Sequence, residues 1–188
     1  MKLRYNAPTV LTFAFISTAV LVLSQIAIRS LTVQWFMVPG REGFSPGNLR
    51  CWVTLFTHVL GHENWLHLVS NFSFILLIGP ILEEIYGSVS LFVMICITAF
   101  VTGVLNVLFF STGLLGASGV VFMMILLASF TNFSKGEIPI TFILVLILYL
   151  GRELLHVFGN TQGNISQFAH IVGGFIGSLF GFFRVNRR

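Results

Sequence analysis

Five long stretches of this 188-residue chain contain no Lys, Arg, Asp or Glu: residues 5–28, 64–82, 85–134, 138–151 and 154–183. A helix crossing the hydrocarbon core of a bilayer needs ~20 predominantly apolar residues, so these gaps are read as membrane spans. Charged residues make up 9 % of the chain and hydrophobic ones 56 %, whereas a soluble domain carries about a quarter charged residues. The gap 85–134 is too long for one helix and breaks at the turn-forming cluster Ser111-Thr112-Gly113. The pattern predicts an all-α membrane protein with six spans, at 9–28, 63–82, 89–110, 115–132, 138–158 and 166–184. Residues 29–62 remain as a long first outer loop, partly interfacial, and the whole of 1–188 reads as one membrane domain with no soluble part.

An even number of spans puts both termini on one side. Lys2, Arg4, Lys135, Arg184, Arg187 and Arg188 then lie together, opposite Arg29, Arg41 and Arg50. The positive-inside rule places the termini in the cytoplasm. Trp35, Trp52 and Trp65 fall on the outer side, where interfacial anchors belong. The isoelectric point near 9.6 therefore reports topology and contact with anionic lipid, and no nucleic-acid partner is expected. The first apolar run is longer than the core of a signal peptide and lacks a small-x-small cleavage site, so it reads as a retained helix. Cys51 and Cys96 belong to different depths, which argues against a disulfide. Two thiols are too few for a zinc site, and no metal or cofactor is expected.

Polar groups inside such spans are functional candidates by default, because hydrocarbon penalises them. Ser118 sits in Gly116-Ala117-Ser118-Gly119 and His170 in Ala169-His170-Ile171-Val172-Gly173. Counting back from the inner charges at 1.5 Å per residue puts Ser118 roughly 25 Å up, His67 roughly 24 Å, His170 roughly 21 Å and Asn71 roughly 18 Å. Four polar groups thus share one layer in the outer half of the membrane. Ala169, Gly173, Gly177 and Gly181 recur every four residues, a small-residue face that lets helix backbones approach closely. Such faces commonly serve packing alone, but close approach is also what a Ser–His hydrogen bond requires. The chain has no aspartate, so a Ser-His-Asp triad is impossible and a Ser118–His170 dyad is the simplest reading. Glu63, Glu83, Glu84 and Glu137 fall at helix ends, and Glu153 lies inside a span. His67 and Asn71, at i and i+4, share a helix face. Together with the Ser118 backbone N–H they would stabilise an oxyanion, the bland alternative being an interhelical hydrogen-bond pair.

In their order and helix placement these residues resemble the rhomboid family of intramembrane serine proteases, from about His58 to Gly177. The resemblance rests on Gly-x-Ser-Gly at 116–119, His-x-x-x-Asn at 67–71, Glu83-x-x-x-Gly87, and Ala-His-x-x-Gly-x-x-x-Gly at 169–177. It implies Ser118 as nucleophile, His170 as general base, and His67 and Asn71 as oxyanion donors. It also implies a minimal six-helix bundle, a serine below the outer surface in a wet cavity, and cleavage of single-span membrane proteins near their outer end. A bacterial inner membrane is the expected location. Two positions depart from the family. Val53-Thr54 stands where a Trp-Arg pair is frequent, with Arg50-Cys51-Trp52 just before it. Phe122 replaces the tyrosine that commonly follows the serine by four and stacks on the histidine; phenylalanine can stack but cannot donate a hydrogen bond.

Two other readings compete. His62-Glu63-x-x-x-His67 approaches the zinc-protease pattern His-Glu-x-x-His, but histidines five apart point ~140° apart on a helix, whereas the zinc pair needs i, i+4. His58 and His62 are instead expected to line the wet outer mouth or to brace the first loop. A non-enzymatic client binder or transporter would use Arg152, Glu153 and His156 as a polar path, yet such a protein needs neither Ser118 nor His170.

Overall fold

The computed structural model describes residues 4–130, 140, 143, 144, 147 and 164–185. The predicted span 138–158, with Arg152, Glu153 and His156, lies almost wholly outside these residues. Those described form helices α1 (Pro8–Ile26), α2 (Leu31–Trp35), α3 (Leu49–Thr57), α4 (Trp65–Tyr86), α5 (Ser88–Phe109), α6 (Ser118–Ser129) and α7 (Asn164–Val185), plus a 3₁₀ turn at His58–Leu60. The extended pairing recorded among them is one isolated bridge between Val38 and Leu114. Three of the described helices, α1, α4 and α5, are long and apolar enough to cross a membrane.

α1 and α4 run antiparallel and are tied at both ends. At one end the Glu83 carboxylate accepts from the Thr9 N–H (2.8 Å) and the Val10 N–H (3.0 Å). Those amides belong to the first turn of α1, where a helix has donors without internal partners and a partial positive charge. At the other end Trp65 Nε1 donates to Gln25 Oε1 (2.9 Å). Between the ties, a β-carbon at Gly79 would meet Val10, and Phe13 packs edge-on against Phe72 with ring centroids 5.2 Å apart. α4 passes into α5 without a loop because Gly87 adopts φ +83°, a conformation that L side chains rarely take.

The first loop is built of α2, α3 and the 3₁₀ turn. Leu49, Trp52 and Phe56 are exposed on α3, at the i, i+3, i+7 spacing of one helix face. Cys51, Thr54 and Leu55 are buried on the other side, with Leu55 lying against Gly103 of α5. An amphipathic helix with an aromatic and aliphatic outer face is suited to lying in the lipid interface. Trp52 Nε1 donates to the Pro46 carbonyl (2.9 Å) and its ring packs on Phe44 (5.5 Å), so the loop is pinned from within.

α6 occupies the centre, and every residue from Gly119 to Leu127 is buried. Its 12 residues reach about 18 Å at 1.5 Å each, short of a ~30 Å hydrocarbon core. The non-helical stretch before it needs protein partners if it lies at membrane depth, and it has them. Leu114 exchanges both backbone hydrogen bonds with Val38 (2.9 and 3.0 Å), the Phe110 carbonyl accepts from Arg41 N–H (2.7 Å), and Gly116 N–H donates to the His58 carbonyl (3.0 Å). Asn106 Nδ2 donates to the Thr112 carbonyl (3.1 Å).

Candidate active site

Ser118 is the first residue of α6, and Gly116 two positions earlier makes the approach to it with φ +112°. The first amide of this region to bond back is Val121 N–H, to the Ala117 carbonyl (2.9 Å). The Ser118 N–H is therefore one of the donors that a helix start cannot use internally. Ser118 is half-buried.

α7 meets α6 along its small-residue face. A β-carbon at Gly173 would overlap the Gly119 carbonyl, one at Gly177 would overlap the Met123 carbonyl, and one at Gly181 would overlap the Phe130 ring. Ala169 lies across from Gly119, its carbonyl 3.3 Å from where a Gly119 β-carbon would sit. His170 follows Ala169 directly and stacks face to face on Phe122, with centroids 4.3 Å apart and planes 4° from parallel. Phe122 is i+4 from Ser118 and so lies on the same face of α6, one turn along. The imidazole is thus laid over the first turn of α6, on the serine's side, by an aromatic contact that sequence reasoning anticipates from position 122.

His67 and Asn71 come from the start of α4. Asn64 caps that helix, accepting from His67 N–H (2.9 Å), which fixes the register in which the two side chains emerge on one face. Both face the Gly116 backbone. A β-carbon there would stand 2.6 Å from His67 Nε2 and 3.8 Å from Asn71 Nδ2. Glycine at 116 is required twice over, by its positive φ and by the His67 ring. Asn71 is buried and His67 half-buried. Ser118, His170, His67 and Asn71, chosen from sequence as one layer, are assembled around the Gly116–Phe122 segment.

His58 and His62 are buried to 2 % and 1 % exposure, so lining a wet mouth is not their part. His58 Nε2 donates to the Ala99 carbonyl (3.0 Å) and its own carbonyl holds Gly116 N–H, which braces the first loop against α5 and the serine loop. His62 Nε2 accepts from Asn71 Nδ2 (3.1 Å), and His62 Nδ1 is 3.4 Å from the Leu60 carbonyl. With both ring nitrogens engaged, His62 does not form a metal pair with His67; the two rings meet edge to face at 5.0 Å. Burial holds both imidazoles well below the ordinary histidine value. His58 is lowered to about 4, the bond to Ala99 opposing the shift, and His62 to about 4, with nearby His67 adding to the burial. The sequence marks His62 as part of a failed zinc pattern and as a residue lining the outer mouth or bracing the first loop; the bond to Asn71 is a tertiary contact with no local signature.

Comparison with known proteins agrees with this arrangement. A family profile described as the rhomboid domain matches residues 49–187. The chain is also similar to the Rhomboid protease GlpG of Haemophilus influenzae, 27 % identical over 130 residues that cover 67 % of this chain and 66 % of that protein. The match thus spans just under two thirds of the relative's length.

Proposed function

We propose that this chain, which belongs to the rhomboid family, is an intramembrane serine endopeptidase that cleaves single-span membrane proteins near the outer end of their helix. The observation that carries the reading is the convergence on the start of α6. There His170 stacks on Phe122 one turn from Ser118, and His67 and Asn71 face the Gly116 turn. The similarity to a rhomboid protease of Haemophilus influenzae supports the same class of reaction. Six spans with both termini cytoplasmic complete the proposal, the fifth being the apolar segment 138–158.

In this reading the Ser118 hydroxyl attacks the carbonyl carbon of the scissile peptide while its proton passes to His170. The tetrahedral intermediate places its negative oxygen against the Ser118 N–H and the side chains of His67 and Asn71, which are aimed before the charge develops. Collapse of the intermediate expels the amine, which takes the proton from His170. Water, deprotonated by the same imidazole, then releases the acid product and frees Ser118. Chemistry with water needs an aqueous path to a site among apolar helices, and the partial exposure of Ser118, His67 and His170 is compatible with one.

The test is a cleavage assay with purified protein in detergent on a panel of single-span membrane proteins. Ser118→Ala is expected to abolish cleavage while leaving the fold intact, and a fluorophosphonate probe is expected to label wild-type Ser118 alone. Wild-type turnover by Ser118→Ala would overturn the serine mechanism. Intact binding of the panel with no cleavage by the wild type would favour a client binder.

A further inference from the structure

The side chain that fixes one oxyanion donor lies outside the motif that contains the donors. We propose that His62 is a positioning residue: its Nε2 lone pair holds the Asn71 amide in the one orientation that turns an N–H toward the site. This inference rests on the serine-protease reading above, and it assigns His62 no contact with substrate.

The geometry admits one arrangement of protons. Asn71 Nδ2 is donor-only and stands 3.1 Å from His62 Nε2, so that nitrogen is unprotonated. A neutral imidazole then carries its proton on Nδ1, and Nδ1 faces the Leu60 carbonyl at 3.4 Å. The ring is 1 % exposed, and it is wedged against Phe72 (5.7 Å) as well as His67 (5.0 Å). Its burial also keeps it neutral in ordinary buffers.

An asparagine amide has two orientations related by a half-turn, which exchange an NH₂ for a carbonyl oxygen. One N–H of Asn71 is taken by His62; the other belongs to the same Nδ2, 3.8 Å from where a Gly116 β-carbon would stand. Rotating the amide by a half-turn would set its oxygen against the Nε2 lone pair and remove the NH₂ from that position. An amide oxygen facing an oxyanion repels it, so the unwanted orientation is harmful rather than merely idle. The same imidazole touches His67 edge-on and so bears on both side-chain donors. Its place in the chain makes this possible. Residues 58–60 form a tight 3₁₀ turn that ends at Gly61, where a β-carbon would run into the Phe36 backbone, and His62 is delivered inward just before Asn64 starts α4.

The experiment uses full-length protein in detergent and the panel substrate that wild type cleaves fastest. His62→Phe keeps an aromatic ring but removes the acceptor. Its kcat is expected to fall roughly ten- to hundredfold, the scale of a mis-set oxyanion donor, with KM within about twofold. His62→Gln, whose side-chain oxygen can take the place of Nε2, is expected to recover most of that loss. In an Asn71→Ala background His62→Phe should cost less than about twofold more, because the group it positions is gone. Wild-type kcat in His62→Phe, losses that multiply with Asn71→Ala, or a His62→Gln no better than His62→Phe would each overturn the proposal. Should His62→Phe not be recovered folded, His62→Leu carries the same arm with the same outcomes. Ser118→Ala and Asn71→Ala separate the two levels. Persistent cleavage by Ser118→Ala refutes the serine mechanism on which the oxyanion site rests, whereas an inactive Ser118→Ala and a slowed Asn71→Ala beside an unaffected His62→Phe refute only the role of His62.

Discussion

Replacing Gly116 by alanine separates what the serine loop contributes to the fold from what it contributes to the chemistry. Two terms act. Gly116 sits at φ +112°, where an L side chain is strained by about 1–3 kcal/mol. The new methyl carbon would also lie 2.6 Å from His67 Nε2 and 2.7 Å from His67 Cε1, against an ordinary contact that begins at 3.4 Å. The ring must therefore withdraw by roughly 0.8 Å, which is the difference between those distances. It is the free end of a side chain, so it can swing away at small energetic cost to the fold. Catalysis has no such latitude, since displacing a group by about 1 Å can cost a hundredfold in rate. Gly87 supplies the control, for it too has positive φ (+83°), but among the described residues nothing beyond its own chain neighbours and local helix backbone lies within 4 Å of its would-be β-carbon. Thermal unfolding in detergent should show both Gly116→Ala and Gly87→Ala destabilised by a similar 1–3 kcal/mol. Cleavage kinetics on folded protein should show kcat unchanged in Gly87→Ala and reduced about a hundredfold in Gly116→Ala, with KM little altered. Equal turnover by the two variants, or an effect of Gly116→Ala confined to KM, would refute the placement of His67 in transition-state stabilisation.

Three further outcomes follow from the geometry. Gly173→Ala should cost at least tenfold in turnover, because its methyl would overlap the Gly119 carbonyl and force apart the two helices that carry Ser118 and His170. Gly174→Ala should be silent, its nearest neighbour being a Leu126 carbon at 3.6 Å; equal effects in the two would remove the close crossing from the argument. Glu83→Gln leaves a single acceptor for two α1 amides and should lower stability by about 2 kcal/mol with kcat of the folded protein unchanged, so a change in kcat at full stability would contradict it. Acid should destabilise the fold. With His58 and His62 held at about 4 against an unfolded value near 6.5, the unfolded chain binds their protons first as pH falls. The stability they contribute is present above pH ~6.5 and declines toward pH ~4, by roughly 2 kcal/mol for each histidine by pH 5. A pH 7 to 5 melting series whose slope is undiminished in His62→Gln would exclude that source.

The residues legible in the sequence are those whose partners follow helical arithmetic, and those that escaped it have partners fixed by tertiary contact. His67 and Asn71 declare themselves at i and i+4. Phe122 does so relative to Ser118, and the Ala169–Gly181 series marks the face along which α7 would lie against another backbone. His62 stands before its helix begins, so no periodicity assigns it a direction; only the packed 3₁₀ turn ahead of it does. Glu83 reads as a charge near a helix end, yet its bonds are to Thr9 and Val10, more than seventy residues away in sequence. A count of apolar residues carries the predicted fourth span back to 115, because Leu114 and Leu115 are as apolar as any helix residue. The helix nonetheless starts at Ser118. What holds Leu114 out of it is a backbone exchange with Val38, a hydrogen-bonding fact that hydropathy cannot express. This difference bears on the chemistry. A helix continued back to 115, with Leu114 as its N-cap, would engage the Ser118 N–H with the Leu114 carbonyl, since only the N-cap amide and the three after it are without internal partners. Starting at 118 leaves that donor at the helix mouth, beside the glycine turn that His67 and Asn71 face. In this reading the oxyanion site depends on the first loop's grip on Leu114 as much as on the residues that line it.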